Sequence, residues 1–359
     1  MVFSLCIQTN FILYFLPFVQ KEGCFSNFQR FFDIFLIFPQ ISRIIVLYIE
    51  VIIRFFSHIL RNTFGGFSLS GDLHCHTRLS DGTLGIEDII ALAKKKGVET
   101  IAITDHDCLA GTVRGKVIGA RQGVQVIPGV ELSATDEKNE KNVHILCYLP
   151  DSPDMLEGLC KRNSLARKKA GHFMMLQTAK RFPIATDFIM KCATGSTNLY
   201  KKHIMQALME CGYADSFNGD VYKALFTKES ENNILVVPKY ENVKDVIDAI
   251  HTAGGIAILA HPIKSGCVDI LDDYIEYGVD GIEVFHPSAN EEEQALLKKY
   301  ATKKKILATG GSDFHGLYNE YTVSIGDYVA PDDCLHALLT YKSKQKRLQK
   351  KLAAQQAAE

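Results

Sequence analysis

The sequence has no tryptophan, no C-x-x-C pair and no excess of charge of either sign. Forty lysines and arginines stand against 41 aspartates and glutamates, a formal net charge of −1. A chain so balanced has no global basic field to bind nucleic acid in bulk, and stable double-stranded nucleic-acid binding is not expected of it. Its ten cysteines (positions 6, 24, 75, 108, 147, 160, 192, 211, 267 and 334) form no disulfide-like framework. In a chain of 359 residues they read as reduced thiols of an intracellular protein, and a cytoplasmic location is expected. There is no G-x-S-x-G elbow and no G-x-x-x-x-G-K-[ST] loop, so nothing points to a serine nucleophile or a phosphate-cradling P-loop.

A clean membrane span is also missing. Of 21 phenylalanines, 14 lie in residues 1–67, yet Gln8, Thr9, Asn10 and Pro17 interrupt the first apolar run. Asp33, Arg43, Glu50 and Arg54 break the next, so neither reaches about 20 apolar residues. The first basic residue is Lys21, so the charged start of a secretory signal is absent. Residues 1–67 read as an apolar leader with three open explanations. It associates with a membrane through residues 1–60, packs on the following domain, or reflects a wrongly assigned start.

After Gly65-Gly66 the composition changes to short β-branched runs alternating with helical patterns. Candidate strands are Leu69–Cys75, Thr100–Thr104, Val124–Pro128, Val143–Leu149, Ile256–Ala260, Gly281–Phe285 and Ile306–Thr309. Helical spacing marks Gly85–Lys96, Val243–Thr252, Ile270–Tyr277 and Glu291–Tyr300. Alternation of this kind predicts an α/β fold with parallel strands, and seven strands favour a barrel over an open sheet. The expected barrel spans 68–150 and 241–340, with a helical segment at 151–240 between strands four and five and a basic helical tail at 341–359.

The polar residues gather where such a barrel keeps its reactive groups, at strand ends. His74 and His76 alternate onto one face of the first strand, with Asp81 just beyond it. His106 follows the second strand, Glu131 the third, His144 lies in the fourth, His261 ends the fifth, and Asp313 and His315 end the seventh. A lone H-x-H is a weak signal, but six histidines and three carboxylates converging from six strands are not. Cys75 faces away from its flanking histidines. Nine nitrogen and oxygen ligands exceed one tetrahedral zinc; two or three manganese, zinc or iron ions sharing a bridging carboxylate are the natural solution. Such ions lower the pKa of a shared water and clamp phosphoryl oxygens, so the chemistry expected is metal-dependent hydrolysis of a phosphoester.

The runs Asp72-Leu-His-Cys-His-Thr…Ser80-Asp-Gly, Ile103-Thr-Asp-His-Asp107, Pro128-Gly-Val-Glu131, His144-Ile-Leu, Ala260-His-Pro262 and Ser312-Asp-Phe-His315 resemble the motifs of the polymerase and histidinol phosphatase (PHP) superfamily, in order over about residues 70–330. The resemblance implies a distorted (β/α)7 TIM-like barrel and a trinuclear site. By motif position, His74, His76, Glu131 and Asp313 would hold one ion, Asp81, His106 and His315 a second, and Glu131, His144 and His261 a third, with Glu131 bridging. Aspartate at position 81 is similar to the branch of 3′,5′-nucleoside-bisphosphate phosphatases that also trim RNA from its 5′ end; the histidinol-phosphate branch tends to use histidine there. That branch has a helical insertion covering the site.

The implied substrate is therefore a nucleotide or a short single-stranded RNA end, attacked by a hydroxide bridging the ions. A phosphatase for a small metabolite such as histidinol phosphate and a non-catalytic scaffold are the alternatives. Arg167 and His203, then Arg162, are the expected substrate contacts in the insertion, against the bland reading of solvated helix charges. Asp107 and His286 fall on the same rim, His286 equally readable as a loop residue. Asp107 or His203 would protonate the leaving oxygen, and Glu131 would act by holding two ions together. Asp72 and Asp105 read as orienting groups, and His58, His172, His251 and His336 as structural or exposed. The six basic residues of 342–351 read as a solvated helix rather than an RNA contact.

Overall fold

A computed structural model describes residues 70–356. The leader, with Cys6, Cys24 and His58, lies outside the described residues. Seven strands pair in chain order: β1 (Gly71–Cys75), β2 (Thr100–Ile103), β3 (Gln125–Asp136), β4 (Lys141–Tyr148), β5 (Ile256–Leu259), β6 (Gly281–Phe285) and β7 (Leu307–Gly310). The ring closes just past β7. The His76 amide donates to the Phe314 carbonyl (2.9 Å), and Cys75 bridges Phe314 in parallel.

The sheet is mostly parallel, not wholly so. Strand three does not stop at Pro128: β3 runs on to Asp136, and β4 returns antiparallel to it and to β5. The connection is too short for a crossover helix, and only an antiparallel return fits it. The Asp136 carboxylate shapes this turn by accepting from the amides of Lys138 (3.1 Å) and Asn139 (3.2 Å). Glu131 thus lies within a strand, opposite Leu146, rather than at a strand end.

Side-chain alternation sorts the barrel into an apolar and a polar face. Val130, Leu132, Ile282 and Val284 pack under α7 (Val243–Thr252), α8 (Leu271–Tyr277) and α9 (Glu291–Lys304), through Ile247, Tyr274 and Leu297 among others. Cys75, Ile101 and Ile103 pack under α1 (Ile86–Lys96). The alternate residues His74, His76, Glu131 and Glu283 are buried as well, against one another. The periodicity reading found α7 at its observed bounds but missed α2 (Ala110–Gln122). Its inward face carries glycine instead of large apolar groups, because the backbone lies against the sheet. A Cβ at Gly119 would meet the Val124 carbonyl oxygen at 2.5 Å.

Between β4 and β5 lie α3 (Glu157–Arg181), α4 (Thr186–Cys192), α5 (Lys201–Glu210) and α6 (Asp220–Phe226), with their own core of Met174, Ile189, Ile204, Leu208 and Phe226. The last helix, α10 (Asp332–Gln356), begins earlier than the expected tail, because Leu335 and Leu338 pack against Leu73, Leu146 and Ile258 of the barrel. No helix among the described residues is long and apolar enough to cross a membrane.

Candidate metal centre and substrate cavity

At the centre of the barrel one carboxylate faces five imidazoles. Glu131 Oε2 lies 3.0 Å from His106 Nδ1, 3.2 Å from His76 Nε2 and 3.4 Å from His74 Nε2. Its Oε1 lies 2.9 Å from His144 Nδ1 and 3.1 Å from His261 Nε2. Asp313 Oδ1 approaches the Nε2 atoms of His76 (3.3 Å) and His74 (3.5 Å), while Asp81 Oδ1 stands 3.4 Å from His315 Nε2. Donor atoms within 4.8 Å of one another form three groups: His76, Asp81, His106 and His315; His74, His76 and Asp313; His106, Glu131 and His144.

These atoms face each other without satisfying each other. His74 Nε2, His76 Nε2, His106 Nδ1, His144 Nδ1, Asp81 Oδ1 and Glu131 Oε2 are all buried without a hydrogen-bond partner. So many orphaned polar atoms in one place are costly unless a cation fills the space between them. The outward nitrogens explain which atoms point inward. His74 Nδ1 pairs with Glu283 (2.9 Å), His261 Nδ1 with the Ser265 hydroxyl (3.0 Å), and His315 Nδ1 with the Asp313 carbonyl (2.7 Å). Glu283 and the Asp313 carbonyl only accept, so these bonds put the Nδ1 proton outward on His74 and His315 and leave Nε2 free for a metal, whereas His261 Nε2 is hydrogen-bonded to Glu131 (3.1 Å). The residues present fit divalent metal ions.

The electrostatics agree. Burial raises the carboxyl of Glu131, but His106, His144 and His74 overcome it and hold it well below its ordinary range. Asp313, beside Lys264 and His74, and Asp81, beside His315 and His106, are likewise held low against burial. Burial lowers His76, yet Asp313 and Glu131 push it up to about 10. His261 goes the other way, to about 4, through burial. Burial lowers His74 too, yet Glu283, Glu131 and Asp313 push it well above its ordinary value. Backbone strain is concentrated here too: Asp107, His261 and Asp313 have φ of 49°, 29° and 49°.

Above the centre opens a cavity of about 330 Å³, lined by the cluster and by residues of the insertion, among them Arg167, Tyr200, Lys202 and Tyr222. The PHP domain profile matches residues 72–308. The chain belongs to the PHP domain family. Among curated proteins it is similar to a phosphoribosyl 1,2-cyclic phosphate 1,2-diphosphodiesterase of Eggerthella lenta, 33% identical over 69% of this chain and 94% of that one. It is 31% identical to the 5′-3′ exoribonuclease Rnm of Escherichia coli (68% and 84% covered). It is 26% identical to a 3′,5′-nucleoside bisphosphate phosphatase of Chromobacterium violaceum (68% and 86% covered). Among solved structures, a Bifidobacterium adolescentis protein assigned as a metal-dependent phosphoesterase superposes with a TM-score of 0.68 at 28% identity, covering 75% of this chain and 95% of that one. As its motifs imply, the chain is a PHP-type phosphoesterase, a hydrolase of phosphoric esters.

The PHP barrel brings all nine expected ligands into one cluster, and its groups of close donor atoms overlap the sets given by motif position. His76 also faces Asp81, and His106 also faces Glu131 and His144. Of the other expected site residues, only Arg167 reaches the cavity. Its terminal nitrogen is held by Asp107 (3.0 Å) and the Ser133 hydroxyl (2.6 Å), and its guanidinium lies between the rings of Tyr200 (4.9 Å) and Tyr240 (5.3 Å).

Asp107, His203, Arg162 and His286 do not line this cavity. The buried Asp107 carboxylate accepts from Ser133 N (3.0 Å), Ser133 Oγ (2.9 Å), Asn163 (2.9 Å) and Arg167. His203 is a buried cap of α5, whose Nδ1 accepts the Tyr200 amide (3.2 Å), and burial lowers it to about 4. Arg162 pairs with Glu241 in a separate shallow depression. His286 is buried between the Ser288 hydroxyl (2.8 Å) and the Asp313 carboxylate (3.3 Å). Asp72 and Asp105 hold turns: Asp72 accepts from Ser312 (2.7 and 2.9 Å), and Asp105 from Thr77 and Ser80.

Sequence reading missed Glu283, the partner of His74. The signal was a glutamate in the middle of the buried strand Gly281–Phe285. It also missed Lys264, whose Nζ lies 3.0 Å from both Asp313 and Glu320 at the cavity edge. Nothing in the local sequence marks that lysine.

Proposed function

We propose that this chain hydrolyses phosphate monoesters of nucleotides, with 3′,5′-nucleoside bisphosphates as the main substrates, and removes nucleotides from the 5′ ends of short single-stranded RNA. The observation that supports this best is Arg167. One terminal nitrogen is spent on Asp107 and Ser133, and the buried Nε is left without a partner in a cavity shared with the histidine–carboxylate cluster. A guanidinium braced in this way is pre-organised for a phosphate oxygen. Lys264 and Lys202 line the same cavity and would attract a second phosphate beside the one being cleaved. Tyr200 and Tyr222 provide aromatic wall for a base, and a cavity of about 330 Å³ is in the range of small-ligand sites.

Two or three ions of manganese, zinc or iron would be held by His74, His76, Asp81, His106, Glu131, His144, His261, Asp313 and His315. Bound there, they supply Lewis-acid stabilisation of phosphoryl oxygens and a water of lowered pKa. The chain itself does the rest. Glu131 spans the groups and keeps them at a set spacing. Glu283, Ser265 and the Asp313 carbonyl hold the imidazole tautomers. Arg167 orients the phosphate and neutralises charge that grows on it.

A second reading, opening of a cyclic phosphate on a phosphoribosyl compound, is favoured by the relative matched over 94% of its length. The test follows the products made by the purified full chain, with and without manganese and alongside a count of bound metal: inorganic phosphate from mono- and 3′,5′-bisphosphate nucleotides, nucleoside monophosphates from a 5′-phosphorylated RNA, and the ring-opened monoester from a ribose 1,2-cyclic phosphate. Release from the bisphosphate above all others is expected. Turnover of the cyclic ester alone would move the substrate to the second reading, and a metal-free, inactive chain would defeat both.

A further inference from the structure

The insertion grips the barrel immediately beside Asp81. That residue sits in a turn after β1, where the amides of Ser80 and Gly82 both donate to the Thr77 carbonyl (3.1 and 2.9 Å). From below, Asp105 accepts the Thr77 amide (2.8 Å), the Thr77 hydroxyl (2.7 Å) and the Ser80 hydroxyl (2.6 Å). The turn is so tight that a Cβ at position 82 would lie 2.3 Å from the His76 carbonyl oxygen. All these bonds hold its inner side.

The outer carbonyls, those of Leu79 and Ser80, are taken by the insertion. The Thr197 amide and hydroxyl both donate to Leu79 O (2.9 and 3.0 Å), and the Ser196 hydroxyl donates to Ser80 O. This gripping segment is tied back to α3, where the Asn198 side chain meets the Ser164 hydroxyl at 3.0 Å. Helix α3 is itself anchored on the barrel by Asn163 and Arg167, both bonded to Asp107. A continuous run of hydrogen bonds therefore leads from the barrel, through the insertion, to the backbone that carries Asp81.

We propose that Ser196 and Thr197 are positioning residues for Asp81, so that the insertion completes the metal centre besides forming the cavity wall. The inference rests on the reading of Asp81 as a metal ligand. Ligands bind at full strength only when outer partners hold them in place, and losing such partners typically lowers metal affinity about 10- to 100-fold.

The experiment strips metal from the full chain and titrates manganese by calorimetry. It compares wild type, Ser196→Ala/Thr197→Val, Asp81→Asn, and the three substitutions together. The double variant should lose about tenfold in affinity for one class of ion, and Thr197→Ser should bind as wild type does. In the Asp81→Asn background the pair should add nothing, because its effect runs through that carboxylate. Unchanged binding in the double variant overturns the inference, and so does an equal loss in both backgrounds, which marks general loosening. If the double variant folds poorly, Thr197→Ala alone is carried through the same comparison. A wild-type chain that takes up no ion defeats the ligand reading itself, an outcome distinct from the other two.

Discussion

The floor of the cavity and its wall are made from different parts of the chain and follow different rules. Every floor residue comes from a strand or the turn just after one, so its direction is set by two-residue alternation and its depth by sheet register. Most of the wall comes from helices α3, α5 and α6 and the segment just after α6, positioned by a separate core, with residues 318–323 after β7 completing it. Floor residues lie among other titratable groups, and six of the nine have orphaned atoms facing them. A wall residue such as Arg167 owes its direction to two neighbours, Asp107 and Ser133, which belong to the barrel. The chemistry is assigned to the floor and the choice of substrate to the wall, and substitutions should separate the two.

The largest effect is expected at the floor. Glu131→Gln removes the charge that faces five imidazoles and loosens more than one group together. Metal affinity should fall by about 100-fold or more and turnover should vanish, measured as ions bound per chain and phosphate released. Normal metal content with retained turnover would break the assignment of Glu131 as the bridge.

At the wall, Arg167→Lys keeps the charge but loses the fork that reaches Asp107, Ser133 and the cavity at once. A charge-assisted hydrogen bond is worth about 1.5–3 kcal/mol, so kcat/KM should drop about 10- to 100-fold. Metal content should stay at the wild-type level. If Arg167→Lys empties the metal centre, wall and floor are not separable and the comparison fails.

The third prediction concerns pH. Burial lowers His203 to about 4 in the folded chain, against an ordinary value of 6.5. The folded state therefore binds fewer protons than the unfolded chain between those two values. His203 contributes stability in full above about 6.5, and that contribution is lost as pH falls towards 4. The shift corresponds to at most about 3 kcal/mol. Urea melts of wild type and His203→Gln should diverge above pH 6.5 and approach each other near pH 4. Curves that stay parallel would sink the buried-cap reading.

The sequence made the floor legible because metal chemistry restricts residue type and strands restrict spacing. His74 and His76 alone are a weak signal, which gains weight from the strand-end positions of Asp313 and His315. Glu283 was equally readable in principle, as a carboxylate in the middle of a buried strand, but a partner one atom away from a ligand leaves no spacing signature. The long β3 was hidden for a different reason: Pro128-Gly129 reads locally as an end, and only pairing with β4 carries the strand through it. Helix α2 was hidden because its packing face is glycine. The wall was legible as a class, helical and basic, but not residue by residue. Arg162 and Arg167 differ by five positions on one helix, and only the fold shows that one meets Asp107 and the other Glu241.

That pair of arginines allows the finest test of the comparison. Arg162 is mostly exposed, pairs with Glu241 and lies in a depression with Asn163 and Lys239, apart from the cavity. An ion pair in that setting is screened by water and salt and contributes about 0–1 kcal/mol. Arg162→Ala should leave kcat/KM within about twofold of wild type and stability within about 1 kcal/mol. Arg167→Ala, on the same helix and with the same change of side chain, should lose activity while keeping its metal. Helix propensity and net charge change equally in both variants, so any difference between them reports position alone. A loss of activity in Arg162→Ala that matches Arg167→Ala would mean that substrate extends beyond the cavity along α3, as a longer RNA strand would. The 5′ end of RNA, and not the free nucleotide, would then be the ligand the wall is shaped to receive.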